Sequence, residues 1–218
     1  MVETARLYLV TPPLERLGDF PDQLRQAVEP GDIACVLVRL KARDDQEAKK
    51  IVRAAADIAQ PRGAAVLLEA DAGADSATLA MRANADGVHY GRGLTPEFVE
   101  GAAKLKPRRI VGLGGVNSRD DAMVAGEADV DYLMFGAPDA DGNTPDPAKT
   151  LELVTWWADI FNVPCVAYAH DLAEIVEYAK AGAEFIALGA AVFEDPRGVA
   201  AAMADARRVI ALSQTDLV

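Results

Sequence analysis

Six groups of residues carry side chains able to do chemistry, and each follows a short apolar run. Arg39 and Lys41 stand two apart, on one face of an extended chain. Such a pair clamps a phosphate or diphosphate, the arginine through its planar fork and the lysine as a point charge. The same two residues also suit a solvated edge, or an ion pair with Glu69. Glu69 and Asp71 repeat that two-residue spacing. Carboxylates so placed hold Mg2+, which keeps water and phosphate oxygens as its other ligands, or they neutralise Arg39 and Lys41. His89, followed by Arg92, offers a general acid or base, or a hydrogen-bonded core histidine. His170 closes another apolar run, and Gly189-Ala190-Ala191 closes the last. Small residues there present backbone N–H groups to a phosphate, or let a strand and a helix pack closely. Gly112, Gly114 and Gly115 also follow a strand-like run, but they lack the spacing of a dinucleotide fingerprint.

The elements that must position these residues alternate regularly. Strands are predicted at Arg6–Val10, Ile33–Arg39, Ala64–Leu68, Gly87–Tyr90, Arg109–Gly112, Tyr132–Phe135, Cys165–Tyr168 and Phe185–Leu188. The runs are almost wholly apolar, as a parallel sheet covered by helices requires. Helices are predicted at Pro21–Val28, Asp45–Gln60, Asp75–Asn84, Thr95–Leu105, Ser118–Gly126, Asp146–Ile160, Asp171–Ala181 and Pro196–Leu212. The second is the clearest: Ala48, Ile51, Val52, Ala55, Ile58 and Ala59 recur at helical spacing before Pro61. Three strands share a pattern of small or apolar residue, acid, apolar strand and glycine: ADGVHYG from Ala85, VDYLMFG from Val130, and AEFIALG from Ala183. Repetition of this kind points to a closed (β/α)8 barrel, with chemistry at the glycine ends. A doubly wound open sheet is the competing architecture, and the even unit length favours closure. No linker interrupts the series, so residues 1–218 are expected to form a single domain. The polar stretch Gly136–Pro147 reads as a mobile lid or an ordinary connection.

Composition narrows the partners. Thirty-four acidic against 22 basic residues leave a formal charge of -12, which repels nucleic acid. No apolar run approaches the length of a membrane span. Cys35 and Cys165, the 2 cysteines, both sit inside apolar strands and read as buried thiols of a reducing compartment. With no basic segment leading into an apolar run at the start, a cytoplasmic location is expected. The partner expected is a small phosphorylated molecule, and the sequence leaves a homo-oligomer open.

Together these motifs resemble the thiamine phosphate synthase and thiazole tautomerase family, over nearly the whole chain. RLYLVTP from Arg6 is similar to the family's opening strand. VRLK from Val38 resembles its Gln-Leu-Arg-x-Lys motif, with Leu37 in place of Gln. ADGVHYGR resembles its Gly-Val-His-Leu-Gly-Gln motif, and AGAEFIALGAAVF from Ala181 its closing phosphate-binding motif. The resemblance implies a barrel that joins a pyrimidine methyl diphosphate to a thiazole phosphate and releases pyrophosphate. It implies Mg2+ and basic residues at the leaving diphosphate, a task for Arg39 and Lys41. It puts Gly114 and Ala169-His170 at substrate-binding positions, where the family has Ser and paired glycines, and Asp71 at a metal position. Arg92 and Leu94 replace the family's Gln and a metal-binding Asp. A second reading follows from these departures: a repurposed paralogue that binds a small phosphorylated ligand or a protein partner without catalysis.

Overall fold

The computed structural model describes residues 5–29, 32–42, 44–70, 75–139 and 141–215. Its strands are β1 (Arg6–Val10), β2 (Ile33–Leu40), β3 (Ala65–Ala70), β4 (Gly87–Tyr90), β5 (Ile110–Leu113), β6 (Tyr132–Phe135), β7 (Cys165–Ala169) and β8 (Phe185–Leu188). They pair in parallel and in sequence order, and β8 returns to β1 to close the barrel. The helices are α1 (Phe20–Val28), α2 (Asp45–Ala59), α3 (Ser76–Ala83), α4 (Pro96–Leu105), α5 (Arg119–Gly126), α6 (Pro147–Ile160), α7 (Leu172–Lys180), α8 (Ala190–Phe193) and α9 (Val199–Thr215).

Side chains sort by the two-residue period of each strand. Leu7 and Leu9 of β1 pack outward against the helices, in the larger core shared with Ile51, Val52, Trp157 and Ile175. Tyr8 and Val10 point inward and meet Leu37, Leu67, Tyr132 and Tyr168 in a smaller core inside the barrel. Helix starts are capped as their sequences require: Asp44, Asp75, Thr95, Ser118, Asp146 and Asp171 each accept a first-turn backbone N–H.

The repeated acid has a mechanical role. Asp86 Oδ2 accepts from the backbone N–H of Val66 at 2.7 Å, Asp131 Oδ2 from Val111 at 2.7 Å, and Glu184 Oε2 from Cys165 at 2.8 Å. Each acid precedes its strand and ties it to the strand before, which pins the register at the N-terminal end of the barrel. The glycines that close the same three repeats, Gly91, Gly136 and Gly189, directly follow β4, β6 and β8, at the opposite, C-terminal end.

Two expectations are corrected. The last helix does not begin at Pro196. Asp195 accepts from the Arg197 backbone N–H at 2.8 Å and holds a turn there, so the chain forms the short α8 first and α9 only from Val199. Glu69 does not follow the third strand but lies within it, opposite Arg39. Here β2 itself is prolonged by the bridge between Leu14 and Leu40, which gives β3 a partner as far as Ala70.

Candidate active site

Three cations gather where β2 and β4 end. Arg39 lies in β2, Lys41 just beyond it, and Arg92 two residues past β4. They border one cavity with Glu69 and Asp139. The chain holds this rim with backbone bonds: the Leu14 N–H donates to the Arg39 carbonyl at 2.8 Å, and the Lys41 N–H to the Leu14 carbonyl at 2.9 Å. Thr11, buried at the end of β1, accepts from the Arg39 N–H at 3.0 Å. Arg39 Nε sits 3.3 Å from Glu69 Oε2. That contact engages one of the five donors of the guanidinium. Among the described residues, neither Lys41 nor Arg92 is ion-paired. Asp71 lies outside the described residues.

The connection after β6 reaches this cavity through Asp139. Its carboxylate accepts from the backbone N–H groups of Asp141 and Asn143 and from the Asn143 side-chain amide, at 2.9, 2.8 and 3.0 Å. These bonds hold its pKa below the usual carboxylate value. The stretch read as a lid or a connection is thus braced at one point by its own turn.

His89 faces the barrel interior, 3% exposed. Its Nδ1 is 2.9 Å from the Tyr132 hydroxyl. Burial, and then the nearby Arg39 charge, push its pKa down to about 3, so the ring is neutral at physiological pH. It also borders a larger cavity of about 460 Å3, together with Glu69, Tyr90 and Arg92. Gly114, after β5, lies against this ring: a Cβ there would be 2.8 Å from His89 Nε2.

The β7 and β8 ends form a second group. The His170 backbone N–H donates to Glu174 Oε2 at 2.8 Å, and the ring tilts against Tyr168 with centroids 5.0 Å apart. His170 Nε2 is buried with no hydrogen-bond partner among the described residues. The Tyr168 hydroxyl lies against the start of α8: a Cβ at Gly189 would be 2.2 Å from it. The candidates therefore divide into a cationic group on β2 to β4 and a second group on β7 and β8. Tyr8, Tyr132 and Tyr168 were not singled out from the sequence, although the alternation of each strand marks all three as inward-facing.

An eight-fold parallel barrel with cations at the C-terminal ends of its strands is the architecture of enzymes that handle anionic substrates at that face. Comparison with known proteins specifies the family. The family model described as thiamine monophosphate synthase matches residues 7–192. The thiamine-phosphate synthase of Rhodospirillum centenum is 39% identical over 208 residues, covering 94% of this chain and 97% of the relative. That of Hyphomonas neptunium is 37% identical, covering 91% and 90%. This chain belongs to the thiamine monophosphate synthase family. Among solved structures, thiamine phosphate pyrophosphorylase from Pyrococcus furiosus superposes with a TM-score of 0.78 at 23% identity, covering 97% of this chain and 98% of that one. A 3-hexulose-6-phosphate synthase gives 0.74 at 18%, covering 94% and 99%. At these identities the two structures speak for the fold alone.

Proposed function

We propose that this chain, acting as one barrel domain, is a transferase that joins a pyrimidine methyl diphosphate to a thiazole phosphate. The carrying observation is the convergence of Arg39, Lys41 and Arg92 on one cavity at the barrel mouth. In the reaction a new bond forms to the pyrimidine's methylene carbon as its C–O bond to diphosphate breaks. Negative charge accumulates on the departing diphosphate, and fixed cations favour that state over the ground state. Arg39 is oriented by Glu69, and Arg92 and Lys41 approach as further positive charges. His89, neutral, contributes a hydrogen bond rather than a charge. His170, Gly114, Gly189 and Ala190 are assigned to the phosphate of the second substrate, with the unpartnered His170 Nε2 supporting that assignment.

Asp71, the metal position that the resemblance implies, lies outside the described residues. Among them no three His, Cys, Asp or Glu side chains gather in a metal-holding group. Of the two described carboxylates on the cationic cavity, Asp139 is held by its own turn and Glu69 sits beside Arg39. No helix among the described residues is long and apolar enough to cross a membrane.

The test is turnover of purified protein with both precursors, followed as thiamine phosphate formed, across a range of Mg2+ concentrations. The proposal expects product, weak dependence on Mg2+, and a lower rate for Arg92→Gln. Absence of product at every Mg2+ concentration, with phosphorylated ligands still bound, would establish the non-catalytic paralogue instead.

A further inference from the structure

Tyr8, Tyr132 and His89 form a line of hydrogen bonds across the barrel interior. The Tyr8 and Tyr132 hydroxyls are 2.9 Å apart, and the Tyr132 hydroxyl is 2.9 Å from His89 Nδ1. The Tyr132 ring lies along the imidazole, with centroids 5.6 Å apart and planes 10° apart, and meets the Tyr8 ring edge-on. All three residues are buried. At the far end the Cys35 thiol lies beside Tyr8 in the same inner core.

The arrangement follows from register. His89 of β4 pairs with Gly112 of β5, and Gly112 pairs with Tyr132 of β6. A side chain at Gly112 would lie 2.1 Å from Tyr132 Cζ, so the glycine is the gap through which the phenol reaches the histidine. Polar groups among Val10, Leu37, Leu67 and Met134 are tolerated only when each donor finds an acceptor.

A hydroxyl both donates and accepts, and a neutral imidazole has one donor and one acceptor, so the line has two self-consistent directions. In one, Tyr8 donates to Tyr132, Tyr132 donates to Nδ1, and the histidine proton sits on Nε2. In the other, Nδ1–H donates to Tyr132, Tyr132 to Tyr8, and Tyr8 to the Cys35 sulfur. The second direction ends on sulfur, a weak acceptor. It also leaves the imidazole lone pair, the strongest acceptor in the line, outside the chain. The first direction ends on that lone pair.

We propose that Tyr132, backed by Tyr8, is a positioning residue that holds His89 as the neutral tautomer protonated on Nε2, presenting an N–H donor to the phosphorylated substrate. Nε2 is the ring atom nearest Gly114, at the end of β5, and the ring borders the cavity shared with Glu69 and Arg92. The identity of the ligand rests on the function proposed above; the tautomer does not.

Ring-nitrogen NMR of the 15N-labelled protein tests this without any substrate. The chain has 2 histidines, so His170→Gln assigns the His89 signals. The parent protein should carry the His89 proton on Nε2, and a proton on Nδ1 overturns the proposal. Tyr132→Phe should shift the Nδ1 signal, as its donor is lost, and an unchanged ring spectrum overturns the proposal. Tyr8→Phe removes only the outer link and should leave the proton on Nε2. A proton that moves to Nε2 only in Tyr8→Phe would mean that the line runs the other way; this arm serves also if Tyr132→Phe does not fold. In turnover, Tyr132→Phe should raise KM for the phosphorylated substrate roughly tenfold, the scale of one hydrogen bond to a charged group, with kcat little changed. Absence of turnover in the parent would refute the transferase reading and leave the NMR result standing.

Discussion

Acidification should destabilise this protein through His89, and the size of the effect follows from its burial. In the folded chain burial and Arg39 bring the His89 pKa from 6.5 to about 3. The unfolded chain keeps the ordinary value. Between those two pKa values the unfolded state binds a proton that the native state does not, so stability rises with pH across that window. The contribution is complete above the unfolded pKa and is lost as pH falls toward the folded one. One such group changes the unfolding free energy by at most about 1.4 kcal/mol per pH unit. From about pH 7 to about pH 4.5 the loss sums to about 2–3 kcal/mol. Carboxylates with lowered pKa values, such as Asp75 and Asp139, act in the same direction but are present in any variant. The assay is therefore a comparison: urea unfolding of the parent and of His89→Gln, whose side chain offers Tyr132 an acceptor and does not titrate. The parent should lose about 2–3 kcal/mol more than the variant over that range. Parallel pH dependence in the two proteins would show that His89 is not held neutral, and the reasoning would fail.

Three further outcomes are expected. Gly112→Ala should cost about 1–3 kcal/mol in urea unfolding from overpacking against Tyr132, and more if the Tyr8 and His89 hydrogen bonds break; a loss under about 0.5 kcal/mol would deny the close approach. Asp131→Ala should cost about 1–3 kcal/mol by leaving the Val111 N–H unsatisfied, and unchanged stability would remove the strand-tying role of the repeated acid. Arg39→Ala should weaken binding of inorganic pyrophosphate, measured by calorimetry, by about 1.5–3 kcal/mol, roughly tenfold to over a hundredfold; unchanged affinity would take Arg39 out of the anion site.

Much of the architecture is written locally. Continuous apolar runs, caps such as Thr95 and Ser118, and the helical spacing of Ala48 to Ala59 each act within about a dozen residues, and all eight strands formed where those signals stand. The positions of Arg39, Lys41 and Arg92 at the mouth follow from the same patterns, because in a parallel barrel every strand end lies on one face. The repeat of acid, strand and glycine was visible too, although its acids proved to tie strands together at the other end.

Tertiary structure alone decided which side chains meet. The Tyr8–Tyr132 bond joins residues 124 apart and the His89–Tyr132 bond residues 43 apart, and neither leaves a trace in local periodicity. Closure brings β1 across to β6, register sets Gly112 between His89 and Tyr132, and the bridge at Leu14 extends β2 and draws Glu69 opposite Arg39. From the sequence, His89 reads as a proton-transfer group or as a core residue, since its type is the same in both. Burial beside Arg39 makes it neutral, and the hydroxyl of Tyr132 gives it a direction.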